Sequence, residues 1–227
     1  MTAPLRLVIF DVDGTLVDSQ AEIVAAMRIA FDRAGHAAPA PAEILSIVGL
    51  SLDVAIPRLA PNLPADLHGR MVAWYKEAYV GLRGRAGADS TAPLYPHARA
   101  VLEMLNAAPD TLLGVATGKS LKGLEKVLGG HGLLRMFVTR QVSDFHPSKP
   151  HPAMLLAALA ETGVAARDAV MVGDTSFDIQ MARAAGIRAI GVDWGYHSRD
   201  KLAGAAEIIS DFRALPEVLE KLWMQVT

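Results

Sequence analysis

From Pro96 onward the chain alternates between two patterns, and that alternation limits the folds open to it. Short apolar runs at Leu112–Ala116, Met136–Thr139, Ala169–Val172, Arg188–Val192 and Glu207–Ser210 read as strands. Between and around them lie helical patterns at His97–Ala107, Ser120–Leu128, Pro152–Thr162, Ser176–Ala185 and Leu215–Met224. A further run, Leu5–Phe10, apolar apart from Arg6, reads as a strand buried on both faces. Strands that alternate with helices must be joined by crossovers, which favours a parallel sheet covered on both faces. The expected core is therefore an α/β, doubly wound, Rossmann-like parallel sheet.

The stretch between the first two strands does not follow this rhythm. Ser19 and Glu22 have capping-box spacing, and Ile23, Met27, Ala30 and Phe31 recur on one helical face. Gly35 is a plausible stop, and helical stretches follow at Pro41–Val48, Ser51–Leu59 and Asp66–Leu82. Gly84–Pro93 reads as a loop. The division expected is a core of residues 1–17 and 94–227 with an all-helical insert of residues 18–93, hinged near Val17–Gln20 and Ala88–Leu94.

Composition narrows the function classes. A 52% hydrophobic, 6% aromatic chain has an aliphatic interior and is too apolar for disorder. A net charge of −2 gives no electrostatic case for nucleic acid. The absence of Cys excludes disulfides, thiolate metal sites and a Cys nucleophile. The N-terminal residues lack a signal-peptide pattern, and the apolar runs fall short of the ~20 residues of a membrane span. A soluble, cytoplasmic protein without nucleic-acid or membrane partners is expected, as a monomer or homodimer.

The chemistry collects at strand ends. Asp11 and Asp13 follow the first strand, and Thr117-Gly118-Lys119-Ser120 the second. Ser148-Lys149-Pro150-His151-Pro152 comes after the third, and Gly173-Asp174-Thr175-Ser176-Phe177-Asp178 after the fourth. In a doubly wound sheet these groups meet at one edge. Carboxylates, a hydroxyl and an ammonium suit phosphoryl transfer. A carboxylate can attack phosphorus, a divalent cation on oxygen ligands screens the anions, and a Lys with helix N-terminal amides neutralises the transferring oxygens.

The order and spacing of these four motifs resemble the haloacid dehalogenase-like superfamily of hydrolases, most closely its phosphoglycolate phosphatase-like subfamily. The resemblance spans roughly residues 5–222. It implies that Asp11 is the nucleophile and a Mg²⁺ ligand, and that Asp13 is the general acid/base with its backbone carbonyl on the metal. Thr117 would donate its hydroxyl to the phosphoryl group, with the Gly118 N–H nearby. Lys149 would hold nucleophile and phosphoryl oxygens, and Asp174 would bind Mg²⁺. Asp178 would support Lys149 or a metal-bound water, or serve as an ordinary N-terminal helix acid. The dehalogenases of the superfamily lack an Asp at the position of Asp13, so Asp13 favours phosphate chemistry.

By the same resemblance the helical insert is a cap that closes over the site and reads the leaving group. Gly49 and Ser51 match the cap's specificity loop, although a turn and a helix cap explain them equally. Arg58, Arg70, Lys76, Arg83 and Arg85 are the candidate cap cations. Trp194-Gly195-Tyr196-His197 is either a structural or a substrate-side loop, and the histidines show no metal-ligand spacing. The function expected is a Mg²⁺-dependent phosphomonoesterase acting on a small phosphorylated metabolite. The alternatives are a phosphomutase of the β-phosphoglucomutase type and a non-catalytic phosphate-binding protein on this fold.

Overall fold

The computed structural model describes residues 4–85 and 92–224, with the side chains of residues 83–85 left out. Most of the loop expected over 84–93, and the side chains of Arg83 and Arg85, therefore lie outside the described residues. Six parallel strands form one sheet: β1 (Arg6–Phe10), β2 (Thr111–Thr117), β3 (Phe137–Val142), β4 (Ala169–Gly173), β5 (Arg188–Val192) and β6 (Glu207–Ile209), in the order β3-β2-β1-β4-β5-β6. The chain builds outward from β1 to β3 on one side, then returns to place β4 on the other. The point where the order reverses lies between β1 and β4, which is where such sheets bind ligands.

Neighbouring residues of β1 serve opposite cores, as the pleat requires. Val8 and Phe10 join one buried cluster with Val101, Leu102, Leu124, Val127 and Leu219. Those partners come from α5 (Ala98–Ala107), α6 (Leu121–Gly130) and α9 (Leu215–Met224). Leu7 and Ile9 join another with Met154, Leu155, Ile179 and Met181, from α7 (Ala153–Thr162) and α8 (Ser176–Ala184). Because both faces are covered, β1 carries no polar side chain after Arg6 until Asp11. β3 runs three residues past its expected end because it is an edge strand with an exposed face. Val138 and Arg140 face out, while Thr139 and Gln141 turn in and hydrogen-bond to each other at 2.7 Å.

The segment between Val17 and Leu94 is all-helical among the described residues: α1 (Gln20–Arg33), α2 (Pro41–Leu45), α3 (Leu52–Leu59) and α4 (Ala65–Arg85). It has an apolar cluster of its own, built on Met27, Ala30, Phe31, Ile56, Met71 and Tyr75, with α1 packed along α4. The two links to the sheet layer run side by side. Val17 bridges Leu94 in antiparallel sense, the Asp18 N–H donates to Pro93 O at 2.9 Å, and the Tyr95 N–H donates to Leu16 O at 3.0 Å.

One local expectation fails. Ser19 stands at the N-cap of α1, but its side chain does not close the capping box expected with Glu22. The Ser19 hydroxyl donates instead to Asp13 Oδ1. The charge-assisted bond to a buried carboxylate orients the hydroxyl toward Asp13, and its oxygen accepts no N–H from the first turn of the helix.

Candidate active site

Asp11 continues the sheet ladder, its N–H donating to Val172 O at 3.0 Å, and its side chain leaves the strand end only 1% exposed. Val12 turns back into the core, and the chain then reverses: Leu16 N and Val17 N both donate to Val12 O at 2.9 Å. Gly14 makes this turn with φ +82°, and a Cβ there would lie 2.2 Å from Asp174 Oδ2. The turn therefore needs glycine for its backbone angle and for its approach to a carboxylate from β4.

Asp174 and Asp178 come from the β4–α8 junction and are fully buried. Asp174 accepts from the Thr15 hydroxyl at 2.9 Å and from the Tyr196 N–H at 2.9 Å. Asp178 closes the capping box of α8, accepting from the Thr175 N–H at 3.0 Å and the Thr175 hydroxyl at 2.7 Å. Its other oxygen accepts from Lys149 Nζ at 2.7 Å, and the same ammonium lies 3.0 Å from Asp11 Oδ1. Asp178 is thus both a helix acid and the anchor of Lys149.

Three buried carboxylates around one buried ammonium leave the cluster negative. Burial pushes the Asp11 carboxyl up to about 7; Lys149 opposes this, while Asp178 and Asp13 add to it. Asp174 is raised well above the carboxylate range by burial and by its neighbours Asp178 and Asp11. Burial alone would lower Lys149, but Asp11 and Asp178 outweigh it and hold the ammonium charged.

Asp11, Asp174 and Asp178 each bring an oxygen within 4.8 Å of the others. Among the described residues, neither Asp11 oxygen accepts a hydrogen bond, and Oδ1 has only the Lys149 ammonium at 3.0 Å. An orphaned buried oxygen in an all-oxygen, net-negative cluster fits a hard divalent cation such as Mg²⁺. Asp178 is committed to Lys149 and to the α8 cap, and each Asp174 oxygen already accepts one hydrogen bond, so the open side of the cluster belongs to Asp11, with a lone pair left on each Asp174 oxygen. Asp13 stands apart from it: its carboxylate pairs with Lys119 Nζ at 2.8 Å and accepts from Ser19.

Thr117 ends β2 and is 1% exposed. Gly118 is covered by the helical layer: a Cβ there would lie 2.6 Å from Gly49 O and 2.8 Å from Leu50 O. The Ser51 N–H donates to Ser148 Oγ at 2.9 Å, and Gly49, with φ +98°, lies against Thr175. The loop expected to read the substrate is thus seated on the strand ends. A cavity of about 660 Å³ opens beside it, lined in part by Asp11, Asp13, Thr117, Gly118 and Gly49; Lys149, Asp174 and Ser51 do not line it. Of the candidate cap cations only Lys76 lines this cavity among the described side chains. Arg58 lies over the Phe177 ring, and Arg70 lies over Trp74 and pairs with Asp66.

Two parts of the site escaped the sequence reading. Lys119, to which the strand-end motif assigns no role, is nearly buried, pairs with Asp13 and donates to the Tyr79 hydroxyl of α4 at 3.0 Å. Its place directly after the strand-end Thr-Gly was the available signal. The loop after β5 supports the Asp174 carboxylate through the Tyr196 N–H, and a Cβ at Gly195 would lie 2.2 Å from Asp174 Cβ. In the same loop His197 Nδ1 accepts from the Ser176 N–H at 3.0 Å, so Nε2 carries the proton and donates to Ser46 O at 2.9 Å. Burial lowers the pKa of this imidazole and keeps it neutral. It joins α8 to the helical layer.

Comparison with known proteins agrees with this architecture. A probable phosphatase, IndB, of Dickeya dadantii is 35% identical over 88% of this chain and 86% of its own length. A phosphoglycolate phosphatase of Vibrio parahaemolyticus is 30% identical, with 95% of each protein covered. Among solved structures, a haloacid dehalogenase-like family hydrolase from Streptococcus pneumoniae superposes with a TM-score of 0.80 at 25% identity, over 94% of this chain and 98% of that one. The family model for haloacid dehalogenase-like hydrolases matches residues 8–192, from the first strand through the fifth, and the chain belongs to that family.

Proposed function

We propose that this protein is a Mg²⁺-dependent phosphomonoesterase that works through an aspartyl-phosphate on Asp11. The coarser statement stands without the proposal: it is a phosphatase of the phosphoglycolate phosphatase-like type. The observation that carries the finer reading is Asp11 Oδ2, an oxygen without a hydrogen-bond partner among the described residues, on a carboxylate that lines the cavity.

In the first step Asp11 Oδ2 attacks phosphorus, the bond from phosphorus to the ester oxygen breaks, and Asp13 delivers a proton to the departing alkoxide. In the second, water attacks the same phosphorus, Asp13 takes its proton, and the bond from phosphorus to Asp11 breaks, releasing phosphate. Thr117 and the Gly118 N–H stand where the cavity meets the strand ends and donate to the phosphoryl oxygens. Lys149 fixes Asp11 through its other oxygen and adds positive charge beside the transferring group. Ser19 and Lys119 hold the Asp13 carboxylate in one orientation. Asp11 and Asp174, with the Asp13 carbonyl, would hold Mg²⁺, which supplies Lewis-acid screening of the phosphoryl charge. The seated helical layer excludes water from the reacting end.

The test is turnover of a panel of phosphomonoesters with and without Mg²⁺. It is joined to intact-protein mass measurement after rapid quench, where wild type should carry one phosphoryl group and Asp11→Asn none. Formation of an isomeric sugar phosphate without free phosphate would establish the mutase alternative. Binding of phosphate esters without turnover would establish the non-catalytic one.

A further inference from the structure

The cavity is larger and more apolar than a two-carbon acid ester requires. At about 30 Å³ of liquid volume per water-sized group, its 660 Å³ holds on the order of twenty such groups. The space is not a gap left by a raised helical layer. Gly49 and Leu50 press on Gly118, the Ser51 N–H is bonded to Ser148, and His197 is bonded to Ser46.

Beyond the carboxylate end the wall is built from Ile23, Met27, Val48, Leu52, Val72 and Tyr75. The Tyr75 and Tyr79 rings stack with centroids 5.9 Å apart and planes 16° from parallel, so this wall presents an aromatic pair. No arginine lines the cavity among the described residues. Of its lysines, Lys119 is bound to Asp13 and Tyr79, while Lys76, Lys122 and Lys126 are exposed. A short acid ester would place its carboxylate where the nearby cations are already engaged, Lys119 by Asp13 and Lys149 by Asp11 and Asp178. An apolar planar group would meet that aliphatic and aromatic wall, with the polar side chains Asp53, Lys76 and Glu77 elsewhere on the lining.

We infer that the natural substrate is a phosphomonoester whose alcohol carries a planar, largely apolar ring, seated on the Tyr75–Tyr79 wall between the reacting carboxylate and the lysine rim. This rests on the phosphomonoesterase reading and names the leaving group for it.

The test compares esters that share a primary-alkoxide leaving group and differ in the ring: 2-phenylethyl phosphate against ethyl phosphate, and a nucleoside 5′-phosphate against ribose 5-phosphate. Burial of a ring in such a site is expected to raise kcat/KM by about tenfold to a hundredfold within each pair. Val72→Trp, which narrows the cavity away from the carboxylates, should collapse that ratio. Equal kcat/KM within both pairs, or 2-phosphoglycolate preferred over the ring esters, overturns the inference and leaves the phosphatase reading intact. If no ester is turned over, the phosphatase mechanism fails, and a binding measurement still decides the subsite. In methyl-labelled protein, 2-phenylethylphosphonate should shift the Val48, Leu52 and Val72 methyl resonances and methylphosphonate should not. Absence of those shifts overturns the inference whatever the turnover.

Discussion

Lys149→Met takes one positive charge out of a place where three buried carboxylates meet, at nearly constant side-chain volume. The ammonium is 1% exposed and contacts Asp178 at 2.7 Å and Asp11 at 3.0 Å. Water cannot replace it in either contact. Breaking a buried ion pair from one side costs about 3–5 kcal/mol, because the remaining charge is left uncompensated. At ~2–4 °C per kcal/mol for a chain of this size, the melting temperature of the metal-free protein should fall by ~6–20 °C. The loss should also depend on pH. Asp11 titrates near 7 in the folded protein, above its unfolded value of 3.8. The folded state thus holds that proton while the unfolded state has released it, so stability falls as pH rises from about 4 to about 7. Removing Lys149 raises the Asp11 carboxyl further and deepens this fall, so the variant should lose most near pH 8 and least near pH 5. Urea unfolding in EDTA at both pH values measures this, and Asp178→Asn in the Lys149→Met background should recover part of the loss. A loss below about 1 kcal/mol, or one equal at both pH values, would refute the reasoning that Lys149 neutralises a buried anionic cluster.

Other consequences are equally direct. Asp11→Asn should lower kcat on the order of a thousandfold or more while leaving the fold stable, because it removes the attacking oxygen and one negative charge; retained turnover would reassign the nucleophile. Gly195→Ala places a methyl group 2.2 Å from Asp174 Cβ, and Mg²⁺ affinity measured by calorimetry should drop about tenfold to a hundredfold. Lys119→Met should reduce kcat more than KM, since Asp13 loses its 2.8 Å partner while the cavity wall stays in place. His197 is kept neutral by burial, so the unfolded chain takes up its proton first on acidification. The stability it contributes is present above about pH 6.5 and lost below, and the acid limb of the stability profile should be shallower in His197→Gln.

The parts of this molecule that were legible in the sequence are those governed by local chemistry. A carboxylate directly after an apolar strand is unusual enough to mark Asp11 and Asp174, and parallel strand–helix alternation then brings them to one edge. What the sequence hid depends on partners far along the chain. Ser19 and Glu22 have the spacing of a cap, and nothing local reveals that Asp13 takes the hydroxyl. Lys119 finds Tyr79 forty positions away, and Tyr196 reaches Asp174 only because β5 lies beside β4. The cap cations show the same limit. Whether Arg58 or Lys76 turns inward is set by helix packing, and only the packed structure separates them.

The paired links at Val17 and Leu94 bear on how such a protein can change its substrate over evolutionary time. The helical segment leaves and re-enters the sheet layer at two points already joined by hydrogen bonds. From the core's side, everything between them is a single long excursion from one tight junction. A short turn across that junction would satisfy the same backbone groups, and so would a different set of helices. Asp11, Asp174 and Asp178 are held by the strand ends and by α8, on the core's side of the junction. The apolar wall of the cavity, from Ile23 to Tyr79, lies on the far side. Selection for a new alcohol can therefore remodel the excursion without disturbing the chemistry, and the two halves of the active site are free to evolve at different rates.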